Sequence, residues 1–281
     1  MSRAVDIGDR IATFRHGAEP VARYRFGPEL ARPCLEPLLA PGGVRVTRDR
    51  GEVEDHPHHR GVWVGHRDVD GTDHWTGFHG HGRIVHRGFA AAGRAALCEH
   101  LTWVTADGAP QLAEVRTLRL LDGHAVDVEI RLRAEQGDVA LGDDKDAAML
   151  AVRVAPTMQA DRGGCIELAD GRRGEAACWG EAAAWCDYSG PVTGGGVAGV
   201  AVLDHPANPH HPTRWHVRDY GLMCANPSGS RCFGAAEDGT LRIARGGELR
   251  FRYRVIAHAG DAAAAGIAAA YEAFAGAGVA A

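Results

Sequence analysis

No stretch of the 281-residue sequence approaches the roughly 18 consecutive apolar residues that a membrane-spanning helix requires. The segment from Met1 to Phe14 is polar and lacks the apolar centre of a secretory leader, so the expected location is cytoplasmic. The seven cysteines, at 34, 98, 165, 178, 186, 224 and 232, form no C-x-x-C pair and are odd in number. That excludes a zinc ribbon or a disulfide framework and predicts reduced, mostly buried thiols. Blocks of like charge are also missing. A formal charge of -5 made of interspersed acids and bases argues against a nucleic-acid or anionic-membrane surface and leaves small solutes as expected partners. There is no H-E-x-x-H pattern. The triplet Gly194 to Gly196 is the single low-complexity run and is too short for a phosphate loop. Neither an internal repeat nor a linker-like break appears, so one domain over 1-281 is expected. A chain of this length needs no metal to hold itself together, so any metal would be functional.

What is present is alternation. Val126, Val128, Ile130 and Leu132 alternate with Asp127, Glu129, Arg131 and Arg133, and Leu249, Phe251, Tyr253 and Val255 alternate with arginines; both segments read as half-buried strands. Shorter strands are expected at 44-47, 62-65, 115-121, 150-154, 200-203 and 241-244, punctuated by Asp107-Gly108, Asp122-Gly123 and Asp238-Gly239. This spacing predicts an all-β sandwich. Helical periodicity is confined to the C-terminal region, where Ile267, Tyr271 and Phe274 share a face after Asp261, a candidate N-cap. Asp144-Lys145-Asp146 reads as a turn, and Trp185 to Gly190 as a strand.

Histidine is unevenly placed. Twelve of the sixteen lie in residues 55 to 86 and 204 to 220, where an even spread would put about three. Imidazole both gives and takes protons near neutral pH, so histidines interleaved with carboxylates and arginines suit general acid-base chemistry. Trp63, Trp75 and Trp215 add flat apolar faces of the kind on which sugar rings stack while their hydroxyls find polar partners. A divalent metal is the rival reading, with His56, His58 and Asp68 as ligands, because His56 and His58 would point to one side of an extended strand. That set would suit a cupin-like enzyme or oxygenase.

The motifs Asp55-His56-Pro57-His58-His59-Arg60-Gly61, Ile84-Val85-His86-Arg87-Gly88-Phe89, Trp185-Cys186-Asp187-Tyr188-Ser189-Gly190, Asp204-His205-Pro206-Ala207-Asn208-Pro209 and Trp215-His216-Val217-Arg218-Asp219-Tyr220-Gly221, with Arg32-Pro33 near the start, resemble the PmoA-like family of bacterial proteins. The resemblance spans nearly the whole chain. It implies a β supersandwich similar to galactose mutarotases and an association with sugar catabolism. A chain without a transmembrane segment is not a subunit of the membrane oxygenase that the family name suggests. The family carries a glutamate where this chain has Asp146.

Together these readings predict a large β-sandwich enzyme acting on a sugar or oxidised glycoside by proton transfer, as a lyase, hydrolase or epimerase. A non-catalytic carbohydrate-binding protein is the alternative from another class. The acid-base candidates are His58, His59, His66 and His216, with Asp219 orienting His216. Arg60 is expected to orient an anionic or carbonyl oxygen, with Trp63, Asp68, Trp75, Asp187, Trp215 and Arg218 completing the substrate surface. A homodimer is the base-rate expectation. The single-site reading requires the two histidine-rich segments to converge in space.

Overall fold

A computed structural model describes residues 2-52, 55-78 and 80-276. Two antiparallel sheets face one another. The first, of nine strands, runs in spatial order Arg3–Ile7, Ile11–His16, Glu19–Arg25, Cys34–Ala40, Val62–His66, Ala147–Arg153, Leu222–Asn226 and Arg214–Arg218, with Val44–Arg45 paired beside Cys34–Ala40. The second, of eight strands, runs Cys165–Leu168, Trp185–Pro191, Val197–Asp204, Glu248–Ala259, Ala125–Arg133, Pro110–Leu120, Ala96–Val104 and Arg83–Gly93. A two-stranded ribbon joins Val139–Leu141 to Leu241–Ile243.

Alternation explains the packing. Val126, Val128, Ile130 and Leu132 turn inward and meet Phe14, Tyr24, Val62, Val64, Leu150, Val152 and Met223 from the other sheet in one apolar core. Their polar neighbours face outward and pair across strands: Arg254 Nε donates to Asp127 Oδ1 at 2.6 Å and Arg250 Nη2 to Glu129 Oε2 at 2.6 Å. The all-β sandwich expected from the sequence is therefore the architecture observed. The seven cysteines are all free thiols, four of them buried.

The helix Ile267–Ala275 lies on the outer face of the second sheet, burying Ile267 and Phe274 against Trp185, Ala201 and Leu203. Its N-cap is Gly266, in the left-handed region, not Asp261. Asp261 Oδ1 instead accepts from Ala264 N at 2.8 Å, closing a turn one step earlier. A second, four-residue helix, Glu175–Cys178, was not expected from periodicity because one turn has too few positions to show a period.

One polar network penetrates the core. Arg116 Nε donates to Glu114 Oε1 at 2.6 Å, Trp103 Nε1 to Glu114 Oε2 at 2.7 Å, and Arg116 Nη1 to the Tyr24 hydroxyl at 3.3 Å. Tyr24 in turn bonds Glu99, which holds His86 Nδ1 at 2.5 Å. Glu99, Glu114 and Arg116 are all buried, so removing one charge strands the others. Glu114→Gln should cost about 3–5 kcal/mol in urea unfolding. The double variant Glu114→Leu/Arg116→Met should recover most of it; an equal loss in both would contradict a paired role.

Candidate functional site

The first sheet is covered on both sides. Cross-strand partners Cys34, Trp63, Ala151, Cys224 and His216 form a row across four neighbouring strand pairs on its outward face. Trp63, Trp75, Ala148, Ala151, Leu222 and Cys224 make a second apolar cluster there, separate from the sandwich core. With strands about 4.8 Å apart, the three steps from Trp63 to His216 span about 14 Å. The two histidine-rich segments thus reach the same face, at two positions three strands apart.

The first position is built by a loop folded back onto the sheet. Arg153 is fully buried at the end of its strand. Its Nη2 donates to Asp55 Oδ2 at 2.7 Å, and its Nη1 to His59 Nδ1 at 3.2 Å. Tyr220 covers the guanidinium with its ring centroid 4.5 Å away. Arg48 reinforces the loop by donating to Asp55 Oδ1 at 3.1 Å and to the carbonyls of Asp55, His56 and His59 at 2.8, 2.5 and 2.7 Å. Burial works against ionisation of Asp55, but hydrogen bonds from His56 and Arg153 hold its carboxyl below the usual range. The loop ends at Gly61, with φ +57°, where an added Cβ would sit 1.9 Å from the Leu35 carbonyl oxygen; no other residue fits.

This clamp orders a stack of rings. His56 lies on Tyr220 and on His59 with centroids 4.9 and 4.8 Å apart, and His59 lies on Trp63 at 5.3 Å. Because Arg153 donates to His59 Nδ1, His59 is neutral with its proton on Nε2; burial, then the charges of His58 and Arg153, depress its pKa far below the usual imidazole value. His58 instead stands edge-on to Trp75 and Phe78 and lines a cleft of about 310 Å³ together with Arg32, Arg60 and Trp63. Burial, followed by the charge of Arg32, pushes His58 down to about 4. Arg60 is aligned by Glu36, whose Oε2 accepts from its Nη2 at 2.5 Å. A neighbouring cleft of about 450 Å³ is lined by Arg48, Arg50, His59 and Arg60.

At the second position His216 Nδ1 donates to the Lys145 carbonyl at 2.7 Å, which leaves Nε2 as a bare acceptor, buried and without a partner. The carboxylate beside His216 is Asp146, 3.6 Å from Nδ1. Asp146 accepts from Lys145 Nζ at 2.8 Å through both oxygens and from Arg67 Nη1 at 3.0 Å. Burial raises the Asp146 pKa, but Lys145 and His216 outweigh it and hold the carboxyl below its usual value. Asp146 also acts on the charge of His58, so its carboxylate links the two positions electrostatically.

The model of a family described as "Family of unknown function (DUF6807)" matches residues 12–272. The chain belongs to this family. No curated protein matches the sequence. Among solved structures it is similar to a proposed aldose 1-epimerase of Escherichia coli K12, at 10% identity and a TM-score of 0.39, covering 92% of this chain and 99% of that one. It is also similar to heparan sulfate lyase HepC of Pedobacter heparinus, at 8% identity and a TM-score of 0.40, covering 92% of this chain but 37% of the lyase. A polysaccharide lyase, BACCELL_00875, matches at 13% identity and a TM-score of 0.39, covering 91% of this chain and 33% of that one. The chain thus spans about a third of the length of the two lyases.

Within this DUF6807 chain, several residues expected at the site lie elsewhere. His66 is on the core side of its strand; Asp68 N donates to its Nδ1 at 3.0 Å, so its Nε2 donates to Ser228 Oγ at 2.9 Å, and both nitrogens are used. Asp68 closes a turn by accepting from Gly71 N at 2.8 Å. Asp219 does not orient His216: its backbone N bonds Glu175 and its side chain is exposed. Arg218 is on the outward face but is paired with Glu175 at 2.7 Å. Trp215 points the opposite way from its neighbour His216, into the sandwich core, where its Nε1 donates to Ala183 O at 2.9 Å. Asp187 belongs to the second sheet and holds His258 Nε2 at 2.7 Å. Trp63 and Trp75 are buried floor, not open stacking platforms. His56 is not in a strand: its φ of +43° turns the loop.

Among the described residues no group of three or more His, Cys, Asp or Glu side chains is placed to hold a metal, so His56, His58 and Asp68 do not form the expected set. Of the clustered histidines, His56, His58, His59 and His216 border the outward face, while His74, His86, His205, His210 and His211 pack or bond elsewhere. His79 lies outside the described residues. Sequence reasoning assigned no site role to Arg48, Arg153, Glu36, Phe78 or Tyr220. Arg153 carried a signal: it is the lone charge inside the apolar run Leu150 to Val154.

Burial depresses four histidines from 6.5, to about 4 for His58, His74 and His216 and to about 3 for His66. Between pH 6.5 and 4 the unfolded chain therefore binds more protons than the folded one. Stability should be full above pH 6.5 and fall progressively as the pH drops through that window, read as the urea midpoint against pH. A midpoint constant from pH 7 to 4 would contradict the neutral, buried state of these rings. Asp146→Asn should lower the His216 pKa further, because it removes the negative charge that favours imidazolium; an upward move in an NMR titration would contradict the pairing.

Proposed function

We propose that this chain is a carbohydrate-active enzyme that moves a proton at a sugar carbon, with His58 as the acid-base group of the cleft. The observation that carries this reading is His58 itself. Of the loop's histidines His58 alone lines the 310 Å³ cleft; its Nδ1 is shielded and unpartnered, and the ring is neutral at physiological pH. His56 is engaged by Asp55 and His59 by Arg153.

Phe78, 57% exposed and edge-on to His58 at 5.7 Å, supplies an apolar surface at the mouth, and a cleft near 310 Å³ suits one sugar ring. In the proposed step the C–H bond beside a carbonyl or carboxyl group breaks, its proton passes to His58, and the electron pair moves onto the oxygen as an enolate. The positive charge of Arg60, fixed by Glu36, favours the developing oxyanion. Return of a proton from solvent to the opposite face gives the epimer; loss of a leaving group from the next carbon, protonated by the His58 imidazolium, gives the unsaturated product. The resemblance of the Asp55 to Gly61 and Trp215 to Gly221 motifs to PmoA-like proteins supports the same sugar-directed reading.

The test is deuterium incorporation. Keto, neutral and acidic sugars incubated in D2O with the protein should reveal an exchanging C–H by proton NMR, and His58→Ala should slow it by roughly a hundredfold or more. In kcat/KM the essential base belongs to the free enzyme, so activity should rise with pH through about 4, not 6.5. Unchanged exchange in His58→Ala, or no exchange with any sugar class, would remove the assignment.

A further inference from the structure

Three polar atoms on residues lining the same cleft are shielded from solvent yet have no hydrogen-bond partner: His58 Nδ1, Arg32 Nε and Trp63 Nε1. Buried donors in folded proteins are usually paired; other shielded atoms, Arg153 Nε among them, also lack partners, but these three share one cleft. Arg32 is the most unusual of the three. It is buried beside Gly65, in ordinary contact range of a Cβ built there, whose tight neighbour at 2.9 Å is instead the His74 carbonyl oxygen. Both Nη atoms are spent on one neutral acceptor, the Trp75 carbonyl.

Among the described residues no carboxylate forms an ion pair with Arg32. Asp73 acts on its charge from a distance, but the Asp73 oxygens are taken by Trp75 N, Thr76 N and Thr76 Oγ1 at 2.6, 2.9 and 2.5 Å. Glu29 is at the cleft rim and pairs with Arg10 at 3.4 Å. The other arginines that hold the loop have counter-ions: buried Arg48 and Arg153 share Asp55, and half-buried Arg60 has Glu36. A desolvated cation without an anion is destabilising, an effect that a bound anion offsets. Burial already lowers the Arg32 pKa to about 10.

We infer that this cleft binds the carboxylate of a sugar acid, with Arg32 as its counter-ion and the Nε–H groups of Arg32 and Trp63 as hydrogen-bond donors. The inference rests on the proton-transfer reading above and names its substrate class. Of the three arginines at the cleft, Arg60 is neutralised by Glu36 and Arg50 is exposed, so one buried unpaired cation with two N–H groups remains. That set matches a monoanionic carboxylate better than a phosphate dianion, which calls for more donors. The anion has a second effect. After burial, the charge of Arg32 is the largest influence depressing His58, so neutralising it raises the basicity of the ring when substrate is in place. Substrate binding and activation of the base are then one event.

The experiment follows the His58 imidazole by NMR titration while D-glucuronate, acetate, D-glucose or D-glucose 6-phosphate is added to the full chain. Glucuronate and acetate should each raise the His58 pKa by about one pH unit or more, competing with one another, and glucose should leave it in place. Arg32→Gln should weaken glucuronate binding at least roughly tenfold, and Arg32→Lys, which keeps the charge, should retain part of it. Trp63→Phe, which keeps the ring and removes the donor, should weaken it less and serves as the check if Arg32→Gln does not fold. Equal binding of glucose, tighter binding of glucose 6-phosphate than of glucuronate, or full glucuronate affinity in Arg32→Gln and Trp63→Phe would each overturn the inference. Anion binding without deuterium exchange on any sugar would keep the carboxylate site and remove the catalytic reading; exchange on neutral keto sugars without any glucuronate effect would do the reverse.

Discussion

A guanidinium buried at the end of a strand must be met by something, and Arg153 is met by the histidine loop. Its two ion-pair and hydrogen-bond partners, Asp55 and His59, belong to a segment that would otherwise extend into solvent. The same residue ties the loop's exit, because Arg153 N donates to the Gly61 carbonyl at 2.9 Å. Breaking such a buried pair by removing one partner costs several kcal/mol, which is large against the few kcal/mol that separate folded from unfolded chains. The position of His58, the closure of the rings over Trp63 and the shape of the cleft all follow from that one constraint.

The outward face of the nine-stranded sheet is then divided between two kinds of order. Around Arg153 the guanidinium is paired with Asp55 and bonded to His59 Nδ1, so the geometry is stiff, although its Nε is buried without a partner. Around Arg32 and His58 polar atoms are left unpaired behind a cleft open to small molecules. Rigid support beside unsatisfied groups is the usual division of a binding site, since the first fixes positions and the second keeps its hydrogen bonds for a ligand. His216 repeats the pattern elsewhere on this face, with Nδ1 fixed by the Lys145 carbonyl and Nε2 unused.

Much of the fold was legible in the sequence because period-two alternation is a direct record of a half-buried strand: Val126 to Arg133 and Leu249 to Val255 both lie in strands that turn those apolar positions inward. The face-to-face assignment of residues was less legible. Trp215 and His216 are neighbours and so point to opposite sides of one strand, which composition cannot register. Clustering of histidines identified the Asp55 to Gly61 loop, yet it also swept in His66, His74 and His205, whose local bonds only tertiary contacts reveal. Arg32 lies just before the Cys34–Ala40 strand that carries Glu36, whereas Arg153 ends the far-off strand Ala147–Arg153, and no local pattern announces that these residues reach the histidine loop. Asp219 was chosen as the carboxylate for His216 by proximity along the chain, whereas the fold brings Asp146 there from 70 residues upstream.

The most direct measurement is hydrogen exchange across residues 55 to 61 in the native chain and in Arg153→Met, which keeps the volume of the side chain and removes its charge. The expected result is loss of protection at His59, whose amide donates to the His56 carbonyl at 2.9 Å, with the amides of Leu118 and Val128 in the second sheet unchanged. A loop that stays protected without the Arg153 charge would show that something other than this buried guanidinium holds the histidines in place.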